Sequence, residues 1–258
     1  MKSIKIYALA LGLLAVFAGC QNDVVKPLEN DKEAPAPVRD VTYTKMSGSV
    51  LLTYTLPSDP DLLYVAASYT NKAGKKYEFK ASYFTNTLLV EGFGDTDTYS
   101  LDVYAVDRSE NYSEPVNIQV AADTPPVQAA YETLEVQPDF GGMTFSFDNA
   151  SKADLTVYVS TPNADNEMVN AETFYTGLAK ATFSVRGFLD VPRDFEICFE
   201  DKWGNRSPVK KENLTPIYEA ELDKKKFKEV ILPGDFPCTF YESKMEYIWD
   251  GRAAADGD

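Results

Sequence analysis

The chain has 258 residues, 44% of them apolar, and carries 25 Lys and Arg against 40 Asp and Glu, a formal net charge of −15. An apolar share of this size suits a packed chain and is too high for a disordered one; at about 100–200 residues per domain it makes one or two domains. The acidic excess argues against a nucleic-acid partner, whose phosphates are neutralised by Lys and Arg. The absence of histidine removes Ser-His-Asp and Cys-His nucleophile pairs and any His-ligated catalytic zinc.

Lys2 and Lys5 precede an apolar run from Ile6 to Phe17. The run has the length of a signal-peptide core and is too short to span a bilayer of about 30 Å. It ends in Phe17-Ala18-Gly19-Cys20. A cysteine directly behind two small residues resembles a bacterial lipoprotein lipobox, with Phe17 where Leu is usual. The resemblance implies that 1–19 is removed and that Cys20 is lipidated as the first residue of the mature chain. The other reading is an ordinary secretory signal with an incidental cysteine. Residues 20–35 are polar and punctuated by Pro27 and Pro35, which reads as a tether. No other stretch approaches 18 apolar residues, so the acyl chains are the expected membrane anchor. Cys198 and Cys238 remain; an exported compartment permits a disulfide, but sequence does not bring them within bonding range. Both are read as structural or free thiols.

From residue 36 the pattern has period two. Val50–Leu56 ends at Pro57, Leu63–Tyr69 ends at the Asn71–Gly74 turn, and Tyr99–Val106 puts Tyr99, Leu101, Val103 and Ala105 on one face. Short β-branched and aromatic runs between Pro, Gly, Asn and Asp predict antiparallel strands, and several of them within about 90 residues predict a sandwich.

That unit occurs twice. LTYTLPSDPDL from Leu52 aligns with FSFDNASKADL from Phe145, an offset of 93; LLVEGFGD from Leu88 aligns with FSVRGFLD from Phe183, an offset of 95. DRSENYSEPV from Asp107 aligns with DKWGNRSPV from Asp201, at an initial offset of 94. Three blocks in order at nearly one spacing predict two copies with a core each. Leu101, Val103 and Ala105 then correspond to Phe195, Ile197 and Phe199 on the inward face, with Tyr104 and Cys198 on the other.

The segment Val90–Val116 resembles the last three strands of a fibronectin type III domain, with Tyr99 near the start of the strand where that family often carries tyrosine. Tyr54 stands where the family usually has tryptophan, and Arg193 aligns with Tyr99 in the more divergent second copy. The resemblance implies an all-β protein of two tandem fibronectin type III/immunoglobulin-like sandwiches, at 36–122 and 123–217.

Beyond Pro216 the pattern changes. Glu219–Ile231 holds no Pro or Gly and places Leu222, Phe227, Val230 and Ile231 roughly on one side, which predicts a short helix ended by Pro233-Gly234, within a connector at 218–240. Residues 241–258 open an aromatic stretch through Tyr247, Ile248 and Trp249. A lipobox, two such sandwiches, this connector and a Trp-Asp-Gly together resemble Bacteroidota surface lipoproteins of polysaccharide-utilisation loci, whose third module is usually discoidin-like. On that resemblance 241–258 is the truncated start of such a module.

Candidate binding residues follow from saccharide chemistry, in which exposed rings stack on sugars and carboxylates and amides take their hydroxyls. Trp203 stands in a turn-rich hairpin tip with Asp201 and Asn205, where a large ring is expected to be exposed; Tyr112 is near the equivalent tip of the first copy. The other reading is that Trp203 folds over its own hairpin or packs against a neighbouring domain. Asp59/Asp61 and Asp95/Asp97 read as turn formers; their spacing is not that of a calcium loop, and sandwiches joined end to end offer no evident cleft for a glycosidase pair. No metal or cofactor is expected. The resemblance implies a non-catalytic outer-membrane lipoprotein at the cell surface that binds polysaccharide or oligosaccharide beside the components of a glycan importer. The alternative is a structural or adhesive spacer that binds a protein partner.

Overall fold

The computed structural model describes residues 31–220 and 222–236. The expected signal peptide, Cys20, the tether up to residue 30, Cys238 and the expected start of a third module all lie outside the described residues.

Seven strands build the first sandwich: β1 (Arg39–Met46), β2 (Ser49–Thr55), β3 (Leu62–Thr70), β4 (Lys76–Ser82), β5 (Thr87–Glu91), β6 (Thr98–Asp107) and β7 (Val116–Ala121). Seven more build the second: β8 (Glu135–Asp139), β9 (Gly142–Asp148), β10 (Leu155–Pro162), β11 (Met168–Thr176), β12 (Lys180–Arg186), β13 (Arg193–Asp201) and β14 (Lys210–Leu214). The first pairs its strands as β1-β2-β5 and β4-β3-β6-β7, the second as β8-β9-β12 and β11-β10-β13-β14. Order and antiparallel sense are the same in both, and this is the fibronectin type III arrangement.

The alternating pattern places the core. Leu101, Val103 and Ala105 on β6 and Phe195, Ile197 and Phe199 on β13 are all buried, so the shared inward face is as expected, with larger side chains in the second copy. Tyr54, in the tryptophan position, is 2% exposed and its hydroxyl donates to the Thr87 carbonyl at 3.3 Å. Burial pushes that phenol up to about 12. Tyr99 donates to Asp95 Oδ1 at 3.0 Å. Arg193, its counterpart, instead donates to Thr161 Oγ1 and the Pro162 carbonyl and lies 4.7 Å over the Phe188 ring. One position thus uses two chemistries in the two copies.

Both copies also end on one backbone frame. Gly48 N–H donates to Asp123 O, Asp123 N–H to Met46 O, and Phe93 N–H to Gly48 O. In the second copy Gly141 N–H donates to Ile217 O, Ile217 N–H to Asp139 O, and Phe188 N–H to Gly141 O. The exit strand of each sandwich is bolted at the same place.

Two helical features differ from expectation. An unforeseen helix α1 (Pro126–Glu132) joins the sandwiches. Pro125 and Pro126 supply its start, where fixed φ and a missing N–H cost nothing, and Val127 and Ala130, three apart, are buried in the second core. Conversely, the helix expected over 219–231 is only a 3-10 turn at Lys224–Lys226, capped by Asp223. Its described residues are exposed. An isolated helix shorter than about 12–15 residues is marginal in water unless its apolar face packs, and here that face stays exposed.

Candidate functional site

The hairpin between β13 and β14 is set by three side chains that recur in the hairpin after β6. Asp201 Oδ1 accepts the N–H groups of Trp203 and Asn205, at 2.9 and 3.0 Å, and Asn205 Nδ2 donates to Asp201 Oδ2 at 2.9 Å. Asp107 accepts from Ser109 N–H, Asn111 N–H and Asn111 Nδ2 in the same way, at 2.8 Å each. Ser207 Oγ accepts from Phe199 N–H as Ser113 Oγ accepts from Ala105 N–H, both at 3.0 Å. The Asp-x-x-x-Asn-x-Ser spacing is therefore a self-bonded turn, and its carboxylates are largely engaged by their own backbone.

Each turn also reaches out from its sandwich. Asn205 Nδ2 donates to the Gly92 carbonyl at 3.3 Å, whereas Asn111 Nδ2 donates to Asp31 Oδ1 and the Glu33 carbonyl. The same tip thus grips the first sandwich in one copy and the tether in the other.

Trp203 is half-buried instead of exposed at the tip. Its ring meets Tyr77 and Phe79 of β4 edge-on, both at 5.6 Å, and Tyr77 donates to its carbonyl at 3.4 Å. Lys202 lies 5.1 Å over the ring and ion-pairs with Glu91 at 3.1 Å. Two glycines permit the approach: a Cβ at Gly92 would stand 3.2 Å from the ring, and one at Gly94 only 2.5 Å from Asn205 Oδ1. The ring lies at the seam between the sandwiches because a hairpin tip in one copy faces the loop end of the other.

Beside the ring the seam opens into a groove of about 690 Å³. Met46, Leu89 and Glu91 wall it from the first sandwich, Pro126 and Ala129 from α1, and Asn149–Asp154 with Asp201, Lys202 and Trp203 from the second. Sequence offered no evident cleft for a glycosidase pair; the structure does leave this groove, walled on one side by the helix between the sandwiches. Of the residues singled out from sequence, Trp203 and Asp201 line the groove. Asn205 faces Gly92, and Tyr112 is elsewhere, 45% exposed, edge-on to Tyr104 at 5.7 Å and bonded to the Tyr64 hydroxyl at 3.3 Å. That bond, with burial, pushes the Tyr112 phenol up to about 12. Met46, Leu89, α1 and the 149–154 turn were not found from sequence. Only the alignment of the first-copy Pro57–Leu62 loop region with this turn gave any signal.

The acid pairs behave as turns. Asp97 N–H donates to Asp95 Oδ1 at 2.9 Å, and Lys72 bridges Asp95, at 2.7 Å, and Asp97. Asp31, Asp61 and Asp107 do bring carboxylate oxygens within 4.8 Å of one another. Asp107, however, already accepts three turn hydrogen bonds, and Asp61 is held above the usual carboxylate range by its hydrogen bond with Asp59 and by burial. With Asp107 already engaged by its own turn, the three carboxylates make a poor hard-cation set.

Residues 35–122 match the model of a domain of unknown function (DUF4959), and residues 123–225 that of a second (DUF5126). No curated protein matches the chain. Among solved structures, a SusE-like protein is 32% identical over 49% of this chain with a TM-score of 0.33, and this chain spans 45% of its length. A two-domain fibronectin type III segment of chicken tenascin is 15% identical, covering 69% of this chain and 99% of that one, with a TM-score of 0.33. The chicken interferon gamma receptor alpha chain is 10% identical over 71% of this chain and all of its own, with a TM-score of 0.30. The fold rests on the strand order; these likenesses add nothing to it. Among the described residues no helix is long and apolar enough to cross a membrane.

Proposed function

We propose that this chain is a non-catalytic, lipid-anchored accessory protein of the bacterial outer membrane that binds glycan at the cell surface, and that sugar enters the groove at the seam. The observation that carries the reading is the groove's chemistry. An indole edge and a carboxylate and ammonium pair (Glu91 and Lys202) converge on one concave surface, whose Asn149 amide is taken up by its own turn. Apolar walls with a few placed polar groups are the common form of a small-ligand site. Catalysis finds less support. Asp201 is engaged by its own turn and Glu91 by Lys202, and the chain has no histidine. The lipobox resemblance carries the anchoring, and the layout of two sandwiches behind it carries the role in capture beside an importer.

Titration of the full chain with a polysaccharide panel, followed by calorimetry and by tryptophan emission, tests the proposal. A saturable heat with a change in emission is expected, and Trp203→Ala should weaken it by about tenfold or more, since stacking on an aromatic ring contributes roughly 1–3 kcal/mol. Heat that Trp203→Ala leaves unchanged moves the site away from the seam. The adhesive-spacer reading is favoured by the packing of Trp203 on Tyr77 and Phe79. It predicts no sugar heat at all and a specific outer-membrane protein partner.

A further inference from the structure

The last strand of each sandwich pairs in one register but carries opposite chemistry. On β6 and β7, Leu101 stands opposite Ile118 and Val103 opposite Val116; on β13 and β14, Phe195 stands opposite Glu212 and Ile197 opposite Lys210. Residues directly opposite in an antiparallel pair point to the same side of the sheet. Leu101, Val103, Phe195 and Ile197 are core side chains no more than 1% exposed, so that side is the inward one. Val116 and Ile118 accordingly pack on the first core. In the second copy Lys210 and Glu212 hold the same two inward positions and pair with each other at 3.2 Å. Leu214, at the end of β14, still packs on that core.

Beside the charged pair lies a cavity of about 580 Å³. It touches both sheets, with Lys210 and Glu212 on β14, Glu135 and Gln137 on β8, Ser146 on β9 and Thr182 on β12. Its size falls within the roughly 300–1,000 Å³ of small-ligand sites, and it shares no lining residue with the seam groove. Inward charges on an edge strand also discourage pairing with other chains. That role needs no cavity, and Pro138 on β8 and Lys211 on β14 already serve it. The lining selects the ligand. An ammonium, carboxylates, an amide and hydroxyls set donors beside acceptors, which suits hydroxyl groups, since each of those both donates and accepts. Two carboxylates against one ammonium disfavour an acidic ligand, and an apolar one would leave these groups unmatched.

We propose that the cavity between β8 and β14 binds a neutral sugar ring, with Lys210 donating to one hydroxyl and Glu212 accepting from its neighbour. Where the first copy fills this edge with Val116 and Ile118, the second keeps it open and polar. The proposal goes beyond the seam and holds whether or not sugar enters there.

The test titrates the full chain with D-glucose, D-galactose, D-mannose and N-acetyl-D-glucosamine at millimolar concentration and reads amide hydrogen exchange segment by segment. At least one of these sugars should slow exchange severalfold over 134–137 and 210–214. Filling of the seam shows separately, as slowed exchange over 149–154. Lys210→Val with Glu212→Ile restores the first copy's residues and should remove the protection over 134–137 and 210–214 while unfolding stays cooperative. Glu212→Gln keeps the shape of the side chain and should weaken the sugar severalfold, which keeps the site testable if the double variant does not fold. No slowing over 134–137 and 210–214 with any of the four sugars overturns the proposal, even where the seam is protected. Protection that the double variant retains overturns it too, as does a Glu212→Gln chain that binds as tightly as the parent. Glucuronate bound more tightly than glucose overturns the assignment to a neutral sugar.

Discussion

At the residue scale the fold depends on a few polar atoms with no alternative partner. Phe199 is fully buried and its N–H is taken up by Ser207 Oγ. Ser207→Ala should therefore cost about 1–3 kcal/mol, the penalty of an unsatisfied buried donor, seen as a lower midpoint in thermal or urea unfolding. Gly142 is tighter still. A Cβ there would stand 1.8 Å from the Val185 carbonyl oxygen, across the β9–β12 pair. Gly142→Ala must push backbone apart and is expected to cost about 1–3 kcal/mol or more, whereas Gly74→Ala meets no neighbour within 4 Å and is opposed only by its positive φ. Asp95 supplies a pH dependence. Burial works to raise its pKa, but Lys72, the Asp97 N–H and the Tyr99 hydroxyl outweigh it and hold the carboxyl below its usual value. A group depressed on folding stabilises the protein above its unfolded pKa, and that stability is lost as pH falls through the folded value. Acid unfolding of the first sandwich should accordingly begin at higher pH in Lys72→Met than in the parent, read from circular dichroism between about pH 5 and 2.

At the scale of elements, the repeat lay open in the sequence and the seam did not. The Asp-x-x-x-Asn-x-Ser hairpin is local: its hydrogen bonds join residues near one another in the chain, so residue type and spacing alone specify it. What Trp203 touches is not local, because Tyr77 lies 126 positions earlier in the chain. Trp203→Ala should leave both sandwiches folded but uncouple them, giving two calorimetric transitions where the parent gives one. Its cost should be about 1–3 kcal/mol, less than a fully buried Trp because the ring is only half-buried. Helix α1 and the 219–231 connector make the same point from opposite sides. The Pro-Pro start and the Val127/Ala130 spacing form a helix because a core receives them, while a comparable apolar spacing after Glu219 forms only a single turn where its residues stay exposed.

At the scale of the whole molecule, the two sandwiches leave a groove at their seam and a set of exposed large apolar side chains on the second copy. If the groove binds glycan, affinity should change little between low and physiological salt, because stacking and hydroxyl hydrogen bonds are short-ranged and neutral. A protein partner drawn to the acidic surface would instead bind more weakly as salt rises, since exposed charges are screened beyond about 10 Å at 0.1 M. Surface plasmon resonance across that range separates the two. Sequence by itself determined the strand pattern, the duplication, the inward faces of β6 and β13 and the hairpin chemistry, because period-two alternation and turn bonding act between near neighbours. Only the tertiary structure decided that Trp203 is shared between two units, that a helix lines the groove at their seam and that Phe140, Leu189 and Tyr218 of the second copy are exposed. Those outcomes depend on which surfaces meet between segments far apart in the chain, and no local spacing encodes that.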